Sequence, residues 1–137
     1  MRINFKKLHN DAVLPTREAG NAAFDLYAVP QSKALFGNSV VIYPNHRALI
    51  PLGLSWEPDV PYFGIIKDRS GMAAKQGLHV FAGVIDNNYR GEIMVCLYNA
   101  SDQPVTIHSG DRIAQMIIME RIPVDVEWAN ELSDTDR

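Results

Sequence analysis

The sequence predicts an all-β domain of the sandwich, jelly-roll or barrel kind, and three observations carry that expectation. Short segments rich in β-branched and aromatic residues recur along the chain. Glycine, proline, asparagine and aspartate punctuate them at intervals too short for a helix-rich fold. Of the 137 residues, 47% are hydrophobic, enough for a single domain to bury a core without disulfide or metal staples.

Taken in order, the N-terminal MRINFKKLHND lacks the apolar core of a signal peptide, and no later run reaches membrane-spanning length, so a soluble cytoplasmic protein is expected. Residues 20–28 (GNAAFDLYA) form a short apolar strand with Asp25 inside it. A carboxylate there is either a satisfied structural acid or one that needs a partner or a metal. Residues 30–38 (PQSKALFGN) read as a surface loop. SVVIY, ALIPLGLSW and YFGIIK read as strands.

The single helix is Gly71 to Gln76, with Ser70 placed to cap its start and Gly77 able to close it in the left-handed conformation. LHVFAGVI and EIMVCLY then form a hairpin, with Asp86-Asn87-Asn88 at the turn and Gly91 opening the second strand. PVTI and RIAQMIIME complete the set, Gln115 being a polar interruption in the last. Residues 1–129 make one β domain, and the polar end 130–137 is the start of a mobile arm.

The net charge of -3 and a pI near 5.7 argue against a polyanion groove or an anionic membrane surface. One cysteine, Cys96, allows no internal disulfide and suits a reducing compartment. His9, His46, His79 and His108 are scattered without zinc-ligand spacing. Neither a Walker-type GxxxxGK nor a GxSxG elbow occurs. Two local features could carry chemistry. DRSGMA gathers Arg69, a hydroxyl and a glycine amide as a phosphate cradle, although a Ser-Gly helix start is also an ordinary cap. Asp86 sits at the mouth of the hairpin, where an aspartate is ordinarily a turn-former bonded to its own backbone.

Together and in order, AGNAAFDL, DRSGMA, GVIDNNYRGE and GDRIAQ resemble the ordered motifs of the trimeric dUTPase family, over about Ala19 to Arg137. The resemblance implies a jelly-roll β-barrel with one short helix, assembled as a homotrimer with active sites shared between subunits. It implies hydrolysis of dUTP to dUMP and pyrophosphate with Mg2+ on the triphosphate, keeping uracil out of DNA and supplying dUMP for thymidylate synthesis. On this reading Asp86 orients and deprotonates the attacking water, a step typically worth ~10²–10⁴-fold. Tyr89 packs under the deoxyribose and leaves no room for a 2′-hydroxyl, while the backbone of Gly83, Val84 and Ile85 reads the uracil edge. Cytosine would leave buried polar groups unpaired there, a mismatch costing up to ~10⁴–10⁵ in comparable sites. Arg69, Ser70 and Gly71 hold phosphates, and Gln115 contacts the phosphates or the attacking water. Asp25 holds Mg2+ through its hydration shell, and Arg137 matches the arginine that opens the family's last motif.

The departures are specific. Ala22-Ala23 stand where the family commonly has a glycine, the loop 30–38 is longer than usual, and the glycine-rich segment carrying a uracil-stacking phenylalanine does not follow Arg137. Because ELSDTDR leads into that motif as in family members, a truncated chain is expected rather than one naturally without the lid. Such a chain is expected to bind dUTP weakly and turn it over slowly, since lid closure completes sites of this kind. Two alternatives differ in kind. A dCTP deaminase of the same fold would need a glutamate near the base, where the hairpin offers Asp86. A nucleotide-dependent partner-binding module would have no use for Asp25, Ser70, Asp86 and Gln115 together.

Overall fold

The computed structural model describes residues 1–33 and 37–137. Among the described residues eleven strands and one α-helix follow each other as β1 (Ile3–Lys7), β2 (Phe24–Tyr27), β3 (Ser39–Ile42), β4 (Arg47–Pro51), β5 (Leu54–Pro58), β6 (Tyr62–Lys67), α1 (Ser70–Gln76), β7 (Leu78–Phe81), β8 (Val84–Ile85), β9 (Met94–Asn99), β10 (Val105–His108) and β11 (Arg112–Glu120). All their pairings are antiparallel, in sheets ordered β1-β5, β10-β3, β2-β11-β6-β8 and β4-β9-β7. This is the expected all-β jelly roll with one short helix.

The period-two pattern explains the packing. Along β9, Val95, Leu97 and Asn99 turn inward while Met94, Cys96 and Tyr98 face outward, and β7 repeats the pattern with Leu78 and Val80 inside. The core gathers Trp56, Leu26, Ile42, Ile50, Ile66, Leu97, Ile113 and Met116, all nearly free of solvent. Asn99 is fully buried among them. Its amide donates to Ile42 O (2.8 Å) and Gln103 O (2.7 Å), and its oxygen accepts from Ser101 N (2.9 Å) and Oγ (2.7 Å), so no polar group of that side chain is left unmet.

Four expectations change. ALIPLGLSW is two strands, because Gly53 turns the chain in the left-handed region (φ 66°) between β4 and β5. Ser70 is already helical and makes no capping bond; Arg69 is the N-cap residue, in extended backbone, while Gly77 does close the helix at φ 66°. β1 pairs along β5 and carries no counterpart in the sequence reading. The hairpin is not one continuous pair: β7 pairs with β9, but the chain leaves that ladder at Ala82 and Gly83, both with positive φ, and β8 joins β6 instead. The second strand accordingly begins at Met94, not at Gly91.

The expected loop 30–38 begins with a 3-10 turn, Pro30–Ser32. Its positions 34–36 lie outside the described residues. Beyond β11, residues 121–137 are exposed and carry no strand or helix.

Candidate active site

The central position of β11, paired with β2 on one side and β6 on the other, puts Gln115 opposite both Asp25 and Lys67. This builds one end of the site from three distant parts of the chain. Asp25 keeps 26% of its side-chain surface and meets two guanidinium groups, Arg69 Nε at 3.0 Å on Oδ1 and Arg112 Nη1 at 3.3 Å on Oδ2. Arg69 also donates to the Arg112 carbonyl (3.3 Å), and Gln115 Nε2 donates to the Asp68 carbonyl (2.7 Å). Since a carbonyl only accepts, that contact fixes which end of the Gln115 amide carries nitrogen.

A cleft of about 330 Å³ opens over these groups, with Glu18, Asn21, Ser70 and Gly71 on its walls. The space above Gly71 is open, for a side-chain carbon there would meet nothing within 4 Å. The cleft is polar, and its two arginines balance the carboxylates of Asp25 and Glu18.

The other group of residues stands on the hairpin. Gly83 adopts φ 119°, and a Cβ there would lie 2.6 Å from the Ile66 carbonyl, so the turn out of β7 admits only glycine. Its own carbonyl accepts the Ile66 N–H (2.7 Å), which carries β8 onto β6. At the tip Tyr89 N donates to Asp86 O (3.1 Å), Asn87 Nδ2 reaches the carbonyls of Tyr62 (2.8 Å), Pro58 and Asp59 (both 3.2 Å), and Arg90 Nη1 clasps Asn87 O (2.6 Å).

The turn is therefore held by its backbone, Asn87 and Arg90. The Asp86 carboxylate is exposed and makes no hydrogen bond among the described residues, unlike a turn-forming aspartate. It lines a second cleft, about 340 Å³, with Val60, Phe63, Val84 and Arg121. Tyr89 is 42% exposed; its hydroxyl donates to Glu92 O (2.8 Å), and its ring lies so close over Gly91 that a Cβ there would sit 2.5 Å from the hydroxyl.

The structure thus brings Asp25, Arg69, Ser70, Gly71 and Gln115 together and places Gly83, Val84, Ile85, Asp86 and Tyr89 elsewhere. The two clefts share no wall. Arg137 lines neither and is exposed at the end of the chain. Sequence reasoning gave no role to Arg112, Glu18 or Asn21, nor to Asn87 beyond its turn propensity. Arg112 was legible as the cation of GDRIAQ, but nothing local says that it reaches β2. The expectation that Asp25 needs a partner is met by the two arginines.

On this antiparallel jelly roll stand a polar cleft of paired charges and, apart from it, an exposed acid without a hydrogen bond among the described residues. Comparison with known proteins gives the class. A family model described as dUTPase matches residues 10–137. The deoxyuridine 5'-triphosphate nucleotidohydrolase of Hydrogenobaculum sp. (strain Y04AAS1) is 42% identical over 140 residues, covering 100% of this chain and 92% of the relative. That of Nautilia profundicola is 38% identical, covering 100% and 93%. Among solved structures, a dUTPase from phage phi11 of S. aureus matches with a TM-score of 0.84 over 98% of this chain and 100% of the other, at 19% identity, a likeness of fold. The chain belongs to the dUTPase family.

Proposed function

We infer that this chain is a dUTP diphosphatase, hydrolysing dUTP to dUMP and pyrophosphate, and that its two clefts divide the work. The observation that carries this division is the Asp86 carboxylate, without a hydrogen bond among the described residues on a hairpin tip whose Asn87 and Arg90 side chains are bonded. A general base must offer its lone pairs to water, and Asp86 is so disposed. It takes the proton of a water that attacks the α-phosphorus. Tyr89 packs against the deoxyribose, and the backbone from Gly83 to Ile85 reads uracil. In the cradle, Arg69, Ser70 and the Gly71 amide take phosphate oxygens and Gln115 contacts the phosphates or the attacking water, while Arg137, outside both clefts, binds substrate from the start of the arm.

Among the described residues no three His, Cys, Asp or Glu side chains cluster as a metal cage. The cradle nevertheless suits Mg2+, which favours oxygen donors and keeps several waters of its own. With Asp25 Oδ1 and Oδ2 each already taking one guanidinium, its remaining lone pairs suit a water-mediated contact, and Glu18 and Asn21 add oxygen donors. Bound with the triphosphate, Mg2+ would neutralise phosphate charge. Stripping divalent ions with EDTA is expected to raise the KM for dUTP, and Mg2+ to restore it.

The separation of the clefts favours a homotrimer in which the hairpin of one subunit faces the cradle of another. Two apolar features at the surface support self-association. Leu49 and Phe81, with Tyr98 stacked on Phe81, share the outer face of β4-β9-β7, and Ile122, Val124, Val126 and Trp128 alternate outside any sheet. Residues 130–137 would then be the start of an arm. No described helix is long and apolar enough to cross a membrane, which accords with a cytoplasmic enzyme.

A deaminase is less well served, because the hairpin's glutamate, Glu92, is buried against Ser32 and Lys33. The deciding measurement is the kinetics of Asp86→Asn, expected to keep dUTP affinity within a few-fold and to lose about 10²-fold or more in kcat. Undiminished turnover would remove Asp86 from the mechanism.

A further inference from the structure

The acid of the hairpin that the reaction does not use is Glu92, and its burial is unusual. Its side chain keeps only 7% of its surface. Oε1 accepts from the Ser32 hydroxyl, while Oε2 lies 3.4 Å from Lys33 Nζ without hydrogen-bond geometry and has no donor among the described residues. A carboxylate so enclosed is costly to keep and holds hard to the partners it has.

Those partners stand on fixed ground. Gln31, beside them, donates through Nε2 to Asp11 Oδ2 (2.9 Å) and Ser109 Oγ (2.7 Å), and Val29 N donates to Pro51 O (2.8 Å). The segment that opens the 30–38 loop is thus fastened to the barrel at several points, and through Ser32 and Lys33 it fastens Glu92.

The main chain of Glu92 faces the other way. Its carbonyl receives the Tyr89 hydroxyl at 2.8 Å, with Gly91 leaving room for the ring, and the next residue, Ile93, donates its N–H to Leu54 O (2.7 Å). The hydroxyl of Tyr89 therefore rests on the peptide of the residue whose side chain is anchored under the hairpin. A shift of that peptide moves the ring.

We propose that Glu92 is a positioning residue for sugar discrimination, holding Tyr89 through its carbonyl while Ser32 and Lys33 hold its carboxylate. This gives the opening of the 30–38 loop a part in choosing deoxyribose over ribose, and it rests on the reading of Tyr89 as the sugar-facing aromatic.

The test is kcat/KM for dUTP and for UTP, with Tm measured alongside. Glu92→Ala is expected to lower the dUTP-over-UTP ratio by about 10-fold, inside the roughly 10²-fold cost that an ångström of misplacement can bring. Glu92→Gln, which keeps the shape and an acceptor for Ser32, recovers most of the ratio. In a Tyr89→Phe background Glu92→Ala adds little, because the bond it acts through is already gone. Should Glu92→Ala fail to fold, Ser32→Ala with Lys33→Met leaves the hairpin sequence intact and is expected to lower the ratio likewise. A variant with lowered Tm and a ratio within about twofold of the parent would make Glu92 merely structural and overturn the proposal. Tyr89→Ala separates the two readings. An unchanged ratio there sinks the sugar assignment itself, whereas a changed ratio there with an unchanged one in Glu92→Ala sinks only the role of Glu92.

Discussion

The cradle and the hairpin cleft enclose almost equal volumes, about 330 and 340 Å³, and are built on opposite plans. In the cradle the central side chains are already engaged: Asp25 with Arg69 and Arg112, and the Gln115 amide with the Asp68 carbonyl. On the hairpin the supporting groups are bonded and the acid is left free. The contrast suits the proposed tasks. A cradle for a multiply charged ligand would gain from side chains fixed beforehand, whereas a base that must orient water would gain nothing from lone pairs already spent.

The largest expected effect tests whether the two plans belong to different subunits. Asp86→Asn and Ser70→Ala are each expected to be nearly inactive alone. Unfolded and refolded together in equal amounts, they should recover about a quarter of the parent activity, because a random closed assembly joins an intact hairpin to an intact cradle at half times half of its sites. No recovery, in mixed trimers verified by native mass, would place both clefts' residues in a site within one chain.

Smaller effects probe the supports. Asn87→Ala leaves the Pro58, Asp59 and Tyr62 carbonyls without their shared donor, so a stability loss of about 1–3 kcal/mol is expected, read by denaturant unfolding. It should also cost about 10-fold in kcat/KM, as a few tenths of an ångström at the tip would. Activity unaffected by that loss would mean that the hairpin is held elsewhere. The smallest change is expected from Arg112→Leu. Arg112 is half exposed and Arg69 still neutralises Asp25, so KM for dUTP should rise about threefold with kcat nearly kept. An equal fall in kcat would instead assign Arg112 to the transition state.

Legibility in the sequence differed between the same two regions. The motif around Asp86 could be read because turn formers, glycines and flanking apolar runs are local signals, and strands β6 and β11 lie where periodicity put them. The break at Ala82 and Gly83 could not be read, since LHVFAGVI has the pattern of one strand, whereas positive φ at both residues, the Ile66 N–H bond to Gly83 O and the pairing of β8 with β6 mark the break only in the fold. Ser70 looked like a cap because a hydroxyl before helix formers usually is one. In the fold it is helical and on the wall of the cradle. Asp25 was recognisable as an acid in need of a partner, yet its partners lie 44 and 87 positions away.

By itself the sequence determined the all-β class, the single short helix, the absence of an internal disulfide and the identities of the motif residues, because each depends on residue type and short-range spacing. Only the tertiary structure decided that Asp25 and Asp86 stand in separate clefts, that Arg112 joins Arg69 on Asp25, and that Asp86 stays unbonded among the described residues. Such contacts depend on which strands the buried apolar faces bring side by side, and that choice is made by the packing of the whole core and not by any one segment.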